Sequence, residues 1–347
     1  MTADPQPTPA EAGYAMPAEW EPHDRCLMAW PARPELWRDR LADAKTDYAV
    51  VARAVADLEP LTMVCNPGQE AEVRDRCGGD IDVLAAPIDD SWMRDSGPVF
   101  VRNHRGELAV VSFEFNAWGE RWHPYDSDNR VPDVVAAHLG LPVYRSPMVL
   151  EGGAYFVDGE GTLVTTEQCL LNPNRNPSMS REQIEQELHD FLGATTVVWL
   201  PYGHSLDVGP EGTDGHVDGI AQYVAPGHLL LEVPASPDSS EYAFGQQNAQ
   251  ALDGVRDAAE RELTVTRLDP GPGESPSYCN FYLANGGVVV PVTGTERDDA
   301  ALELIGSLYP GRMVVPVPGE TLEFGGGGPH CITQQVPTSG PTDRKDD

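Results

Sequence analysis

The stretch FGGGGPHCITQQVP, residues Phe324 to Pro337, combines four consecutive glycines, a histidine, a cysteine and a strand-like run. Consecutive glycines let a backbone approach a ligand closely and move as a lid, so Cys331 behind them has the access that a nucleophile needs. The run HCITQQV can pair with the β-rich run RCLMAWP near the N-terminus. Pairing between the two ends of the chain would close a ring.

Between these ends, one pattern recurs four times, as two β-rich runs joined by a glycine-containing turn. The runs are VFVRNHRGELAVVSF, AYFVDGEGTLVTT, IAQYVAPGHLLLEV and FYLANGGVVVPV, with turns near Gly106, Gly161, Gly227 and Gly286. An interval of about 60 residues is long enough for a strand, a helix and a hairpin. With the paired chain ends as a fifth unit, the sequence predicts an α/β ring of about five modules.

Three stretches have the apolar spacing of amphipathic helices. The longest is residues 34–60, in which apolar residues recur every three to four positions. A second begins at Ser180, where Gln183 completes a capping-box pattern, and ends at Gly193. A third is expected to begin with Asp298 as its cap. These helices would alternate with the β-rich runs.

The chain ends differ in composition from the body. Residues 1–13 and 338–347 are polar, charged or rich in proline, which predicts disordered tails. The body, residues 14–337, contains no stretch with the composition of a linker. We therefore expect one catalytic domain.

The formal net charge is −32. A strongly negative field opposes binding to nucleic acid or to an anionic lipid surface, and it attracts a small cationic ligand. No window of 18 apolar residues and no secretory leader is present in the sequence, so we expect a cytoplasmic protein without a membrane span. The six cysteines form no C-x-x-C pair, which favours free thiols. A homo-oligomer is left open.

Several polar residues occupy matching places in the modules. Asp95, Glu151 and His216 each lie 10 or 11 residues before the turn glycine of their module. Equivalent positions in a pseudo-symmetric ring converge on its axis, so these side chains are expected to meet near Cys331. Trp92, three residues before Asp95, would add an aromatic platform.

The run GTDGHVDG places His216 and Asp218 two residues apart. In a strand, both side chains would point to the same face. A His-x-Asp pair can bind a metal ion, but no second histidine stands at ligand spacing and a thiolate with carboxylates is a mixed donor set. The sequence therefore predicts neither a metal nor a cofactor.

One thiol, one imidazole and three carboxylates around an axis restrict the chemistry. A thiolate and an imidazole form the nucleophile and general acid of covalent catalysis. Carboxylates would repel the oxyanion that develops from an acyl substrate, whereas they bind a planar guanidinium through paired hydrogen bonds. The set predicts attack of the thiolate on a guanidinium carbon.

The motifs WMRDSGP, EGGAYFVDGEGTLVTTEQCLLNPNRNP, GTDGHVDG, NFYLANGGVVVP and GGGGPHCITQQVP resemble those of the agmatine deiminase family of the guanidino-group modifying, or pentein, superfamily. The resemblance extends from about Met16 to Pro337. It implies a five-bladed pseudo-symmetric α/β propeller and a reaction that converts agmatine to N-carbamoylputrescine and ammonia. The implied catalytic residues are Cys331 as nucleophile, His216 as acid and then base, Glu151 beside the histidine, and Asp95 and Asp218 on the guanidinium nitrogens. The implied further substrate contacts are Trp92, Asp214 and Glu211.

The chain departs from the family pattern near the substrate tail. Gly212 stands where an acidic residue usually precedes T-D-G-H, Gly328 and Pro329 replace an asparagine and a bulky aliphatic residue before H-C, and Phe156 replaces a histidine. These departures leave the implied catalytic residues unchanged. They bear on which guanidino compound is preferred.

Other functions remain open at this point. Within the superfamily, they are a deiminase of arginine or peptidyl-arginine and an amidinotransferase. A carboxylate-bearing substrate would need a cationic partner, for which Arg94 and Arg175 are the nearest candidates in the sequence. Outside it, a non-catalytic guanidino binder and a metal-dependent hydrolase remain, because fold does not fix function.

Overall fold

Strands and helices alternate along the computed structural model, which describes residues 7–271 and 277–340. Within these ranges the strands are β1 (Tyr14–Ala15), β2 (His23–Ala29), β3 (Leu61–Cys65), β4 (Asp82–Ala85), β5 (Val99–Asn103), β6 (Leu108–Glu114), β7 (Val143–Val149), β8 (Tyr155–Val157), β9 (Thr162–Thr166), β10 (Thr196–Leu200), β11 (Ala221–Ala225), β12 (His228–Glu232), β13 (Thr264–Leu268), β14 (Tyr282–Ala284), β15 (Gly287–Val292), β16 (Met313–Pro318) and β17 (Thr333–Pro337). The α-helices are α1 (Pro34–Trp37), α2 (Leu41–Ala56), α3 (Glu70–Cys77), α4 (Met93–Ser96), α5 (Ala117–Glu120), α6 (Val131–Leu139), α7 (Glu167–Leu170), α8 (Arg181–Leu192), α9 (Tyr242–Ala251), α10 (Glu296–Leu308) and α11 (Glu320–Phe324).

These strands form five sheets with one shared plan. In each sheet an antiparallel pair is followed, after a helix, by a strand that joins in parallel. The pairs β5–β6, β8–β9, β11–β12 and β14–β15 are the four predicted hairpins. Gly106, Gly161, Gly227 and Gly286 all have positive φ in their turns, a conformation that glycine adopts without steric cost. The predicted module is confirmed.

The fifth module joins the two ends of the chain. Strand β17 pairs antiparallel with β2, with Gln334 opposite Leu27, and β3 then joins β2 in parallel. This pairing closes the ring that the sequence predicts. The fold is therefore a five-bladed α/β propeller.

The helix predicted over residues 34–60 is interrupted. Arg38 has φ 54°, outside the helical region, so α1 ends there and a 3-10 turn (Arg38–Arg40) precedes α2. Helix α2 buries Ala44, Tyr48, Val51 and Val55 within the largest apolar core cluster, where it contacts β16 and α3. The apolar spacing predicted the buried face correctly and missed the break.

The other two predicted helices are present. Ser180 caps α8 with Gln183 in a capping box, and Gly193 ends it with φ 75°. Helix α10 is capped by Thr295, so the expectation that Asp298 is its cap is wrong. Asp298 is three residues into the motif and accepts hydrogen bonds from the backbone N–H groups of Thr295 (2.9 Å) and Gly294 (2.7 Å). Its carboxylate completes the box because it reaches back to the free N–H groups at the helix start.

The ordered body begins earlier than Tyr14. Residues 8–13 form a turn in which Ala10 N–H donates to the Asp190 carbonyl of α8 (3.0 Å) and Tyr14 N–H donates to the Pro9 carbonyl (2.8 Å). The prediction of a disordered tail over residues 1–13 therefore differs from the structure at residues 8–13. Residues 1–6 and 341–347 lie outside the described ranges. None of the helices in the described ranges has the length and apolarity to cross a membrane.

Candidate active site

A cavity of about 530 Å³ lies where the modules meet. Its floor is formed by Trp92, Asp95, Trp118, His216, Asp218, Asn280 and Cys331. Its mouth is formed by Arg40, Glu211, Glu320 and Phe324. The floor residues are buried, whereas the charged side chains of the mouth are exposed.

The key polar residues of the site come from one repeated position, the segment before the first strand of each hairpin. Asp95 precedes β5, Glu151 precedes β8, Asp218 precedes β11, Asn280 precedes β14 and Cys331 precedes β17. The structure therefore brings together side chains from all five modules. Sequence reasoning placed four of these five and missed Asn280, although its position before a hairpin could have identified it.

Cys331 lies at the bottom of the cavity and is 6% exposed. Its thiol donates to Asp218 Oδ2 at 3.4 Å, and Asn280 Nδ2 donates to the sulfur at 3.1 Å. Burial and the negative charges of Asp218 and Asp95 raise the pKa of this thiol well above its ordinary value. The free protein therefore keeps Cys331 as a neutral thiol at neutral pH.

Asp95 is held in the short helix α4 with both carboxylate oxygens engaged. Oδ1 accepts from Gly153 N–H at 3.0 Å and Oδ2 accepts from Trp118 Nε1–H at 2.9 Å. Burial, with Asp218 and Glu151 close by, raises the pKa of Asp95 to about 6 against the opposing effect of His216. A Cβ at Gly153 would come within 2.9 Å of His216, Asp95 and Asp218, so the second glycine of E-G-G makes room for the site.

His216 stands between two carboxylates. Its Nδ1 lies 3.8 Å from Asp95 Oδ1 and its Nε2 lies 3.9 Å from Glu151 Oε2. Burial lowers the pKa of His216, but the charge of Asp95, together with the neighbouring Cys169 thiol and Glu151 carboxylate, outweighs burial and raises it well above its ordinary value. The imidazole is therefore protonated at neutral pH and can act as an acid.

The segment that carries His216 and Asp218 differs from the expected strand. Asp214 (φ 69°) and Gly215 (φ 93°) turn the chain, and Val217–Gly219 is a 3-10 helix. In this turn the two side chains reach different partners, since His216 faces Asp95 and Glu151 while Asp218 faces Cys331. Alternation along a strand was the wrong reason for placing them together.

Glu151 is fixed by a buried guanidinium. Arg175 Nε donates to Glu151 Oε1 at 2.7 Å, and both side chains are 0% exposed. Burial would raise the pKa of Glu151, but Arg175 outweighs it and lowers the pKa to about 2. Arg175 also donates to Asp214 Oδ2 at 2.9 Å. This arginine is a structural partner of the site and does not face the cavity as a substrate ligand.

The remaining predicted substrate contacts lie in different environments. Asp214 accepts from Arg121, Asn174 and Arg175, and it is not among the described residues that line the cavity. Glu211 does line it, at the mouth, where it accepts from Arg38 Nη2 at 2.6 Å. The structure therefore separates the two acids of the E-G-T-D stretch.

Trp92 and the glycine run enclose the sulfur. The Trp92 ring stacks on Trp37 with centroids 5.8 Å apart and an interplanar angle of 24°. A Cβ at Gly327 would lie 2.7 Å from the Trp92 ring and 2.8 Å from Cys331 Sγ. The backbone can cross the sulfur this closely because the residue is glycine.

A buried chain of polar groups behind the floor escaped sequence reasoning. His330 Nδ1 lies 2.8 Å from Asp218 Oδ2, and His330 Nε2 lies 3.1 Å from Glu19 Oε1. Glu19 in turn accepts from Arg94 Nη1 at 2.9 Å. Phe156, at the position of a usual histidine, packs its ring 4.9 Å from the His330 ring. His330 is adjacent to Cys331 in sequence, whereas nothing in the local sequence points to Glu19.

One group of donors among the described residues has metal-ligand geometry. Donor atoms of Glu151, Cys169 and His216 all lie within 4.8 Å of one another. The sequence argument against a metal considered only a second histidine near His216. It did not consider Cys169, which the fold brings close as a third donor. The Arg175 guanidinium, 2.7 Å from Glu151, places a positive charge beside this group and opposes a cation there. We assign no metal to it.

Known proteins resemble this chain over nearly its whole length. The sequence pattern of the Porphyromonas-type peptidyl-arginine deiminases matches residues 15–337. The agmatine deiminase of Pseudomonas aeruginosa (strain LESB58) is 39% identical over 366 residues, covering 96% of this chain and 98% of that protein. The agmatine deiminase of Ectopseudomonas mendocina is 40% identical over 361 residues, covering 95% and 97%.

A solved structure has the same fold as this chain. The agmatine deiminase of Enterococcus faecalis, captured while catalysing its reaction, superposes with a TM-score of 0.91 at 36% identity. The match covers 96% of this chain and 98% of that chain. The chain thus has the pentein fold and belongs, with these agmatine deiminases, to the family of Porphyromonas-type peptidyl-arginine deiminases.

Proposed function

We propose that the protein is an agmatine deiminase, which hydrolyses the guanidinium of agmatine to N-carbamoylputrescine and ammonia through a covalent amidino adduct on Cys331. The observation that carries the proposal is a buried thiol facing Asp218, with Asp95 and His216 in the same cavity. No metal or cofactor enters the reaction we propose.

Asp95 and Asp218 would hold the guanidinium nitrogens. Each carboxylate oxygen has two acceptor sites, so the oxygens bound to Gly153, Trp118 and His330 can still accept from substrate N–H groups. Trp92 and Trp118 border the same space and would flank the planar cation. The guanidinium charge next to the sulfur favours loss of the thiol proton, which leaves to solvent.

The reaction then proceeds in two halves. The Cys331 thiolate forms a C–S bond to the guanidinium carbon, and the electron pair of the C=N bond moves to nitrogen. His216 donates its proton to the departing nitrogen, the C–N bond breaks and ammonia leaves. Neutral His216 next takes a proton from water, whose oxygen attacks the amidino carbon. The C–S bond breaks, the hydroxyl proton on the former water oxygen leaves to solvent, and the neutral ureido product and the thiolate are released.

The mouth favours a cationic substrate tail. It presents the carboxylates of Glu211, Glu320 and Glu323 against Arg40 and against Arg38, which pairs with Glu211. Arg94 and Arg175, the predicted partners for the carboxylate of free arginine, are instead buried and paired with Glu19 and Glu151. An amine such as that of agmatine matches this charge balance better than a carboxylate does.

A substrate panel tests the proposal. Agmatine, arginine, guanidinobutyrate and a peptidyl-arginine would be assayed for ureido product and ammonia, and we expect agmatine to have the highest kcat/KM. Cys331→Ala should abolish turnover, and rapid quenching of the wild type with agmatine should add one amidino group to Cys331 by mass. Cys77→Ala, a buried thiol away from the cavity, is the matched control and should keep activity. Full activity of Cys331→Ala would refute the mechanism.

We further propose a cytoplasmic location. All six cysteines are unpaired, which suits a reducing compartment. Whether the protein forms a homo-oligomer would be settled by its mass in solution.

A further inference from the structure

The two aspartates of the floor are held in different ways. Asp95 accepts from two neutral donors, Gly153 N–H (3.0 Å) and Trp118 Nε1–H (2.9 Å). Asp218 Oδ2 instead lies 2.8 Å from His330 Nδ1. A neutral donor orients a buried carboxylate, whereas an imidazolium orients it and also compensates its charge. The protonation state of His330 therefore decides how well Asp218 keeps its charge.

Both ring nitrogens of His330 face carboxylates. Nδ1 faces Asp218, and Nε2 lies 3.1 Å and 3.2 Å from the two oxygens of Glu19. A neutral imidazole has one N–H, so one carboxylate would meet a bare lone pair at hydrogen-bond distance. A doubly protonated ring donates to both. The ring is 0% exposed, so water cannot replace either contact, and the geometry fits an imidazolium.

Glu19 is fixed from its other side. Arg94 Nη1 donates to Glu19 Oε1 at 2.9 Å, and Gln222 Nε2 donates to Glu19 Oε2 at 3.4 Å. Two carboxylates and two cations thus alternate in a buried line from Asp218 through His330 and Glu19 to Arg94. Their charges cancel only when every member is ionised. Loss of the charge on the imidazole would leave one carboxylate without compensation.

The directions of the pKa shifts agree with this line of charges. Burial and Arg94 lower the pKa of His330, but Glu19 and Asp218 outweigh them and raise it. Burial raises the pKa of Asp218, but His330 and, to a smaller extent, His216 outweigh burial and lower it. His330 and Asp218 therefore stabilise each other as an ion pair.

The departure from the family pattern at Phe156 suits a charged ring. Phe156 packs against His330 with ring centroids 4.9 Å apart. A histidine at this position would place a second titratable ring beside the first, and two imidazolium rings would repel each other. An aromatic hydrocarbon ring holds no proton and attracts a cation. Phe156 thus leaves the charge on His330 unopposed from this side.

We propose that His330 is a positioning residue, whose imidazolium, held by Glu19, donates to Asp218 Oδ2 and keeps this carboxylate ionised and oriented to receive the guanidinium. The effect on turnover rests on the proposed function, whereas the effect on binding of a bare guanidinium does not. No bond is made or broken at His330, which keeps both ring protons throughout. Because Cys331 follows His330 directly, one segment places the nucleophile and secures the charge beside it.

Binding of a guanidinium without turnover tests this role. Methylguanidinium would be titrated by calorimetry into full-length Cys331→Ala protein, with and without His330→Gln, at about pH 6 and about pH 8 in buffers of different ionisation enthalpy. Glutamine can reach Glu19 from the place of Nε2 but puts no donor on Asp218. We expect Kd at about pH 6 to rise about 10- to 100-fold in His330→Gln. More protons should be released on binding, because Asp218 must then lose a proton to bind the cation.

His330→Asn is the conservative variant. Its amide nitrogen can take the place of Nδ1, so Asp218 keeps a donor and loses only the cation. We expect Kd and proton release between those of the other two proteins. With Cys331 intact and agmatine as substrate, kcat/KM should fall about 10- to 100-fold in His330→Gln and less in His330→Asn. The acid limb of the kcat/KM profile should move to higher pH in both.

A matched control is a second buried histidine that pairs with a glutamate. His23 Nδ1 lies 3.2 Å from Glu59 Oε2, with both side chains buried. It meets Glu19 only at the backbone carbonyl (2.9 Å) and is not among the described hydrogen-bond partners of Asp218. His23→Gln can lower stability, but it should leave Kd for methylguanidinium and the proton release unchanged.

The outcomes distinguish the two proposals. Unchanged Kd and proton release in His330→Gln would overturn the role of His330. A higher Kd without additional proton release would overturn it as well, because loss of packing alone has that effect. A higher Kd with additional proton release, together with a wild type that does not convert agmatine, would keep the role of His330 and refute the proposed function. If His330→Gln fails to fold, His330→Asn decides alone.

Discussion

Two ion pairs of nearly equal length have opposite surroundings. Arg175–Glu151, beside the floor, spans 2.7 Å with both side chains 0% exposed, whereas Arg38–Glu211, at the mouth, spans 2.6 Å with side chains 55% and 57% exposed. Water and salt screen the charges of the exposed pair. The charges of the buried pair have lost their hydration, so each is stabilised mainly by the other. Burial, not distance, decides how much each pair matters. The floor should therefore fix the reaction and the mouth should tune the substrate.

The largest expected effect is at the floor carboxylates. Asp95→Asn and Asp218→Asn keep the shape of the side chain and lose the charge that holds the guanidinium. Each should cost on the order of 2 to 5 kcal/mol in kcat/KM for agmatine. Steady-state kinetics of each variant would measure this. If kcat/KM falls less than about tenfold in both variants, these aspartates have only a structural role.

Breaking the buried pair comes next. Glu151→Gln leaves the Arg175 guanidinium with Asp214 as its carboxylate partner, so we expect a loss of about 3 kcal/mol in the free energy of unfolding, measured with denaturant. The variant also removes a charge that raises the pKa of His216. The alkaline limb of the kcat profile should therefore move to lower pH, because His216 must be protonated when ammonia leaves. An unmoved limb would contradict the assignment of His216 as the acid.

Protonation of Asp95 should have a smaller effect, which has opposite signs for kcat/KM and for stability. As pH falls through about 6, Asp95 takes up a proton and its charge on the guanidinium is lost, so kcat/KM should fall. Stability should change in the opposite direction. The pKa of Asp95 is higher in the folded protein than its ordinary value of 3.8, so the folded state binds more protons between these values and gains stability as pH falls through 6.

The difference between wild type and Asp95→Asn isolates Asp95 together with His216, whose pKa the Asp95 charge raises. Other buried carboxyl groups also have raised pKa values, among them Asp128, at about 8, and Glu232, at about 7. Their effects are common to both proteins and cancel in the comparison of unfolding free energies at each pH. Equal pH profiles for the two proteins would show that Asp95 does not titrate near 6.

The sequence predicted the ring well and the support of the site poorly. The glycine turns, the closing strand and Cys331 have local signals, because positive φ, alternation and motif composition are read within a few residues. Glu19 meets His330 across 311 residues of sequence, and Arg175 meets Glu151 only through the fold. Such partners are set by tertiary packing. The break at Arg38 was hidden because the apolar spacing continues across it.

The smallest expected effect is at the mouth. Glu211→Gln removes an exposed carboxylate that is already paired with Arg38, and such pairs are worth about 0 to 1 kcal/mol. We expect KM for agmatine to rise by less than about fivefold at low salt and the difference to shrink at high salt, with kcat unchanged. Binding of methylguanidinium, which lacks the amine tail, should not change. Arg38→Gln is the matched control, since it frees Glu211 for the amine and should not raise KM. A loss of more than about 30-fold in kcat/KM for Glu211→Gln would mean that Glu211 holds the tail as tightly as the floor carboxylates hold the guanidinium.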